Sequence, residues 1–503
     1  MVTAGFSHGV FTRYVDSVPR PVTVVPSAVI AIVGTLPTYR LATADRHLND
    51  PVRVISDVDD AQFAGPKTKG FSIPAALDAL RDNGAGTVEI VNVFDAATHK
   101  TQADAISYTF PTTGAMADKI QLQQVSGTSP SQAPVAGTVA EGLTGTFTVT
   151  NQAGSTTYVL TTDFTYDATT GIITRKSGGA ITSGGQVKVT YTYADPSKVT
   201  STEIIGAVTN GDRTGLQALK DIYSLRGYRP KIIICPGFSD LTTVAAEMGA
   251  IANDLEAYFI LDGAVGLTRD EAVAGRAGTS PAANFGTASR RAILAYPRVF
   301  DTQDVPQLQP FSQYLAGVMA NTDAELGYWW SPSNKPIQGI TGMERRLTAD
   351  FTDSDNDVTA LNAAGVTTIY NNFGSGFLVW GNRSALYPSD TTPLNFIAVG
   401  RTLDIFHESL QRACLPFVDR PINNALIDAI VETGNGFIRE QVILGALLEG
   451  SKLFYDKAKN PPTSLAAGRI VFSISMMIPT PAETIIFETT LDINLLGNLG
   501  GNS

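Results

Sequence analysis

The run SAVIAIVG at residues 27–34 constrains this chain more than any other stretch. It is almost continuously apolar and rich in β-branched side chains, without the polar alternation of a half-exposed strand. Such a segment needs cover on both faces, as inside a parallel sheet with helices on either side. The chain must therefore supply crossover helices and further buried strands. Residues 72–83 read as the first such helix, with Ser72 as its cap, Pro74 in its first turn, and Ala76, Leu77 and Leu80 inward. Residues 87–94 return as a strand and complete a βαβ-like unit.

From about residue 101 to 196 the composition shifts to Thr, Gly, Ser and Tyr, and helical periodicity stops. Short alternating runs at 119–125, 147–150, 156–160, 171–175 and 186–193 are separated by Gly-rich turns, the pattern of a small β-sandwich or barrel. The strand-and-helix pattern resumes at Ser201 and continues to Val299, with strands at 231–235, 258–262 and 292–299 and helices at 239–253 and 268–278. The β-rich piece is therefore an insertion within one domain. Beyond Pro310 come a helix at 311–321, a hairpin at 365–380, a strand at 396–399, and a helix opened by Arg401 with Leu403, Phe406, Leu410, Ala413 and Cys414 on one face. Helices at 423–433 and 437–449 follow, then alternating strands at 469–479 and 484–494 and a frayed tail, GNLGGNS. The expected fold class is α/β and α+β multidomain. A discontinuous α/β domain (27–100 and 197–305) carries an inserted all-β domain (101–196), followed by a C-terminal α+β domain (306–483), with extended arms at 1–26 and 484–503.

The two arms alternate. Phe6, His8, Val10, Thr12 and Tyr14 share one side of the first, and Ile485, Phe487, Leu491 and Ile493 share one side of the second. Pro19, Pro21 and Pro26 separate the first arm from its domain, so its strand edge is expected to pair with another chain.

At 503 residues and 43% hydrophobic content the chain can bury more than one core. No apolar run approaches the about 20 residues that cross a bilayer, and no signal pattern opens the sequence. A net charge of −11 argues against a nucleic-acid coat. Cys235 and Cys414 read as small buried hydrophobes in a reducing compartment. His8, His47, His99 and His407 have no metal-ligand spacing, which disfavours zinc. The loop at 206–215 (GAVTNGDRTG) has the glycines of a phosphate cradle but lacks its Gly-Lys-Ser/Thr ending, and reads as a strand-to-helix turn capped by Thr214. Asp262 occupies the ligand-binding end of an open α/β sheet, yet has no placed partner and reads as a cap or surface residue. Ser239 in PGFSD reads as an N-cap, not a nucleophile. Trp329 and Trp330 suit domain packing better than a ligand platform. Lys452, Lys457 and Lys459 form the one basic patch of interest, either a solvated face or a contact for an acidic partner. An α/β enzyme of hydrolase type carrying a β-type binding module is the alternative reading, resting on Asp262 and the 206–215 loop alone.

The runs LNAAGVTTIYN, VWGNRS and GRTLDIFHESL, between residues 361 and 410, resemble the C-terminal part of contractile bacteriophage tail sheath proteins and related injection machines. Residues 314–340 (YLAGVMANTDAELGYWWSPSNKPIQGI) are similar to the segment preceding that core. The resemblance covers roughly the last 200 residues, weakens over the α/β part and does not extend to the insertion. It implies a structural subunit with no catalysis, cofactor or metal. Such subunits stack as hexameric rings around a tail tube and contract to drive it through the host envelope during genome ejection. The implied partners are other copies of the chain, the tail tube, the baseplate and the tail terminator, with no nucleic acid and no membrane insertion. The implied location is the virion tail, assembled in the host cytoplasm. In that family the arms add strands to neighbouring subunits, which gives Phe6, Val10, Ile485, Phe487, Leu491 and Ile493 an inter-subunit role and makes Lys452, Lys457 and Lys459 the candidate tube contact.

Overall fold

A computed structural model describes residues 22–498 except 130, 351, 353–354 and 373–375. Phe6 and Val10, and with them most of the first arm, lie outside the described residues. The apolar run at the start of the α/β part forms the strand Ile30–Gly34, buried along its whole length. Its side chains alternate between two cores. Ile30 and Ile32 enter one with Ile73, Leu77, Phe311 and Leu315, while Ala31 and Val33 enter the other with Val244, Met248 and Leu219. The continuous apolarity is thus what a strand covered by helices on both faces requires.

The sheet has nine strands. From edge to edge they are Lys335–Pro336, Gly376–Trp380, Val366–Asn372, Ala292–Ala295, Tyr258–Asp262, Ile232–Ile234, Ile30–Gly34, Val88–Asn92 and Val52–Val54. Neighbours from Val366–Asn372 through Val88–Asn92 run parallel, and the strands outside them are antiparallel. This corrects the expected boundary at residue 306. The hairpin of Val366–Asn372 and Gly376–Trp380 extends the α/β sheet, with Leu294 across from Val366, and does not found a separate C-terminal core. A β-branched run followed by turn formers fixes a hairpin but not the sheet it joins.

Helices Ser72–Asp82 and Phe311–Glu325 cover one face and Thr242–Leu255 the other. The first two cross closely at Gly317, where an added Cβ would stand 2.7 Å from the Asn83 Cβ. Ser72 does not cap its helix. Its hydroxyl accepts from the Thr35 amide at 3.1 Å, and its own amide donates to the Thr35 hydroxyl at 3.0 Å, tying the helix to the strand before it.

Residues 100–194 contain two three-stranded antiparallel sheets closing on their own core of Ile106, Phe110, Val149, Phe164, Ile173, Val187 and Tyr191. Strands Lys100–Thr109 and Phe164–Asp167 went unread in the sequence, and the expected strand at 156–160 makes only isolated bridges. This β unit meets the α/β body through Glu141, which accepts from Arg40 Nε at 2.9 Å, Arg40 Nη2 at 2.6 Å and the Tyr39 hydroxyl at 3.1 Å.

Toward the C-terminus, helix Ile397–Cys414 begins four residues before the expected Arg401, so the strand expected at 396–399 does not form. The two helices expected at 423–433 and 437–449 are one, Asn424–Leu444, running unbroken through Thr433, Gly434, Asn435 and Gly436. Gly434 gives the hairpin room to pack closely, since an added Cβ would stand 2.7 Å from Leu453 Cδ1 and displace that methyl group. A two-stranded hairpin, Lys452–Tyr455 with Phe472–Ser475, packs on this helix, and the strand expected at 484–494 is absent.

Gly317→Val places three heavy atoms in the crossing of the two helices. It is expected to lower stability by about 1–3 kcal/mol despite the better helix propensity of the new residue, as read from the midpoint of urea denaturation.

Candidate functional site

Helix Ile397–Cys414 divides its surface between two chemistries. Leu403, Phe406, Leu410 and Ala413 pack with Phe437, Ile438, Leu447, Leu453 and Ile478. Arg401, Asp404 and Glu408, at i, i+3 and i+7, occupy the opposite side, and each meets a different element of the α/β body. Arg401 makes paired hydrogen bonds to Asp323 at 2.8 and 2.6 Å, with both side chains essentially inaccessible, and also reaches the Ser27 carbonyl at 3.2 Å. Asp404 accepts two hydrogen bonds from Arg290 (3.1 and 2.7 Å) and two from Arg291 (2.6 and 3.1 Å). Glu408 pairs with Lys231, both buried. Ser409 adds a hydroxyl that accepts from the Val25 amide at 3.1 Å. Gly400 lets the helix approach, because a Cβ there would collide with the Tyr258 hydroxyl. In the sequence this seam is three charges opposite the apolar stripe of Leu403, Phe406, Leu410 and Ala413.

Beyond the helix, the hairpin has two unlike edges. The Leu453 amide donates to Asn435 Oδ1 at 2.8 Å, and Asn435 Nδ2 donates to the Leu453 carbonyl at 2.8 Å, so the side chain of Asn435 occupies the outer edge of Lys452–Tyr455 as a strand would. Leu453 lies across from Ile474 in the register. Opposed residues in an antiparallel pair orient their backbone groups alike, so the Ile474 amide and carbonyl point away from the pair, toward the outer edge of Phe472–Ser475. Among the described residues nothing hydrogen-bonds them. One edge is closed by helix Asn424–Leu444; among the described residues the other is open.

The C-terminal segment leaves this unit at Ile478, which is buried, and passes Pro479 and Pro481. Its root is held at Glu483. Arg383 donates from Nε to Glu483 Oε1 at 2.8 Å and from Nη2 to Oε2, while Nη1 reaches Asn395 Oδ1 at 2.9 Å. The guanidinium lies 4.3 Å from the Tyr387 ring centroid and 4.4 Å from that of Phe396. The hydrogen bonds it donates to the Glu483 carboxylate raise the Arg383 pKa above its ordinary value. Residues 484–492 then carry no regular structure and lie fully in solvent, with Phe487 89% and Leu491 94% exposed, and Ile485 and Ile493 nearly as open. Four of the six residues assigned an inter-subunit role are thus apolar and uncovered.

Lys452, Lys457 and Lys459 are all exposed, at or beside the hairpin, and Lys459 Nζ donates to the Ser473 hydroxyl at 2.9 Å. The enzyme-like residues are structural in their surroundings. Asp262 and Ser239 are fully buried; the Asp262 carboxylate accepts from the Ser239 hydroxyl (2.8 Å) and from the Ser312 amide (2.8 Å) and hydroxyl (2.6 Å), bracing the start of helix Phe311–Glu325. Burial raises the Asp262 pKa against the pull of Arg298 and these donors. Ser239 therefore does not cap Thr242–Leu255. The 206–215 loop is a tight hairpin, Val208–Thr209 with Asp212–Arg213, and the Thr214 hydroxyl accepts from the Ala207 amide instead of capping a helix. Trp329 packs beside Tyr328, and Trp330 is half exposed beneath Lys335.

Residues 211–385 match the family described as phage tail sheath protein central domain. The tail sheath protein of Burkholderia phage BcepMu is 42% identical over 507 residues, covering 100% of this chain and 100% of that protein. Among solved structures, a chain of the anti-feeding prophage helical sheath in its contracted state superposes with a TM-score of 0.58 at 17% identity, over 97% of this chain and 100% of that one. A chain from the anti-feeding prophage baseplate gives a TM-score of 0.56 at 17% identity, over 97% and 100%. These two likenesses speak to the fold, a mixed α/β arrangement with several sheets.

Asp404→Asn leaves two guanidiniums at the seam without their carboxylate and is expected to cost about 3–5 kcal/mol. Glu483→Gln breaks a pair that solvent reaches, and is expected to cost about 1 kcal/mol or less. Denaturant titration of the two variants beside the parent separates a buried rivet from a surface tether.

Proposed function

This chain belongs to the phage tail sheath protein family, and from that premise we propose that its copies stack as hexameric rings around a tail tube and contract to drive it through the host envelope during genome ejection. The protein is a structural subunit of a contractile tail, a virion component and not an enzyme, as its relatives are. The proposal concerns how the subunits are joined. Its main support is the pairing of an open strand edge at Phe472–Ser475 with an exposed, alternating apolar segment at 484–494 on the same chain. A strand from one copy laid on the edge of another satisfies backbone groups that no described residue satisfies, and main-chain hydrogen bonds tolerate later rotation of the globular bodies. Phe6 and Val10, outside the described residues, are assigned the same role from their alternation. The donor and acceptor are different surfaces, so the contact is heterologous and propagates. In this reading the organisation follows the sequence in outline. A discontinuous α/β core carries an outward β insertion, and the C-terminal helices and hairpin form the unit that receives the arms.

Contraction needs no nucleotide in this scheme. Energy is stored when assembly on the tube and baseplate holds the subunits in a less stable packing, and release is a shift to the other packing. The tail terminator and baseplate bound the stack, and assembly takes place in the host cytoplasm.

Three outcomes are expected. Removing residues 1–16, or 491–503, leaves thermal melting nearly unchanged and abolishes tube formation in analytical ultracentrifugation and electron microscopy; a truncated chain that still forms tubes places the joint in the globular faces. Replacing residues 101–196 by a short polar linker leaves tube formation intact, because that unit has its own core. Purified extended tails shorten without added ATP or GTP, and a strict nucleotide requirement refutes stored packing energy.

A further inference from the structure

The faces of the hairpin and of the arm are chemically matched beyond their apolar sides. In the hairpin, Leu453, Phe472 and Ile474 turn toward the core, so Lys452, Phe454, Ser473 and Ser475 share the outward face. Lys452 stands across from Ser475, and Lys459 bonds Ser473. Both lysines therefore lie beside a short side chain on the strand with the open edge, and the ground between the ammonium groups and that edge is low. The hairpin and its connection carry Lys452, Lys457, Lys459 and Arg469 against Asp456. The arm has the opposite character. From Glu483 onward its charged residues are Glu483, Glu488 and Asp492, with no Lys or Arg.

Strand periodicity links the two. Ile485, Phe487, Leu491 and Ile493 are odd-numbered, and Glu488 and Asp492 are even-numbered, so an extended arm shows these four apolar residues on one face and its acids, together with Ile486, on the other. Laying the apolar face over the core side of the hairpin forces the acids onto the lysine side. A slip of one residue would invert both.

We propose that Lys452 and Lys459 register the C-terminal arm of a second copy on the open edge of Phe472–Ser475 by pairing with its Glu488 and Asp492. This rests on the strand-exchange reading above and adds its specificity. It assigns the lysines a partner in the sheath, not in the tube. The lysines reach across the serines, opposite charges on one face of a sheet attract, and the correct register is favoured over the inverted one. Lys457, on the turn after the first strand, adds to the field that draws the acidic arm in.

The test uses the full-length chain, with tube formation followed by sedimentation and electron microscopy over a range of protein and salt concentrations. The K452E/K459E and E488K/D492K variants are each expected to raise the concentration needed for tubes about tenfold or more, with unchanged thermal melting of the unassembled protein. Combining all four changes should restore assembly to within about twofold. Added NaCl should weaken assembly of the parent more than that of a K452Q/K459Q variant. If K452E/K459E assembles like the parent while a chain ending at Glu483 does not, strand exchange stands and the lysine register is wrong. If the chain ending at Glu483 also assembles, the underlying reading fails. Normal self-assembly of K452E/K459E with loss of binding to purified tail tube overturns the proposal in favour of a tube contact.

Discussion

The buried charges along helix Ile397–Cys414 fix the position of everything that follows them in the chain. An apolar helix face can slide or roll on a sheet with modest loss, because dispersion and burial are not directional. Arg401, Asp404 and Glu408 cannot slide, since each is matched to a partner on a separate element and two of the matches involve forked guanidinium contacts. Such pairs need not add net stability, because desolvation consumes much of the attraction. Their effect is geometric. They define where the hairpin sits, and through Ile478 where the C-terminal segment begins.

From that point the arm is aimed by stiff chemistry. Pro479 and Pro481 narrow the backbone choices, and Glu483 is tied to a guanidinium already held between two rings and an amide. Preorganisation of this kind reduces the ordering cost a free tail would meet on binding. The exposed side chains beyond it are large, and burying each fully is worth about 1.5–3 kcal/mol. Against that stands roughly 1–2 kcal/mol of backbone entropy for every residue ordered. Apolar burial alone is therefore a narrow margin, and the proposed joint draws also on edge hydrogen bonds and charge matching.

Much of this was legible from residue order alone, and the failures have physical reasons. The run at 27–34 announced a doubly covered strand because only that environment tolerates it. The insertion was recognisable from lost helical periodicity, although Lys100–Thr109 escaped, its polar alternation resembling a loop. The hairpin at Val366–Trp380 was visible as a hairpin, but nothing local says that Val366 will lie beside Leu294; that depends on the whole sheet. Gly434 and Gly436 read as a helix stop, and tertiary packing against Leu453 overrode the local preference. The seam charges carry no local sign of burial, because charges opposite an apolar stripe are also the pattern of a solvated helix face. Asn435 gave no sign at all, because an asparagine that mimics a strand is indistinguishable in sequence from one in a turn.

That asparagine has a consequence for growth. By occupying one edge of the hairpin it leaves, among the described residues, one hairpin edge on which the proposed strand exchange can seat an arm. If each arm seats on the next copy, and not reciprocally on the copy that holds its own edge, every addition in the proposed scheme leaves an acceptor still waiting and a donor still free. A polymer joined in that way has a head and a tail, and its two ends demand different caps. A subunit able to donate but not to receive would behave as a chain terminator, so a small fraction of defective copies would shorten the assembly out of proportion to their number.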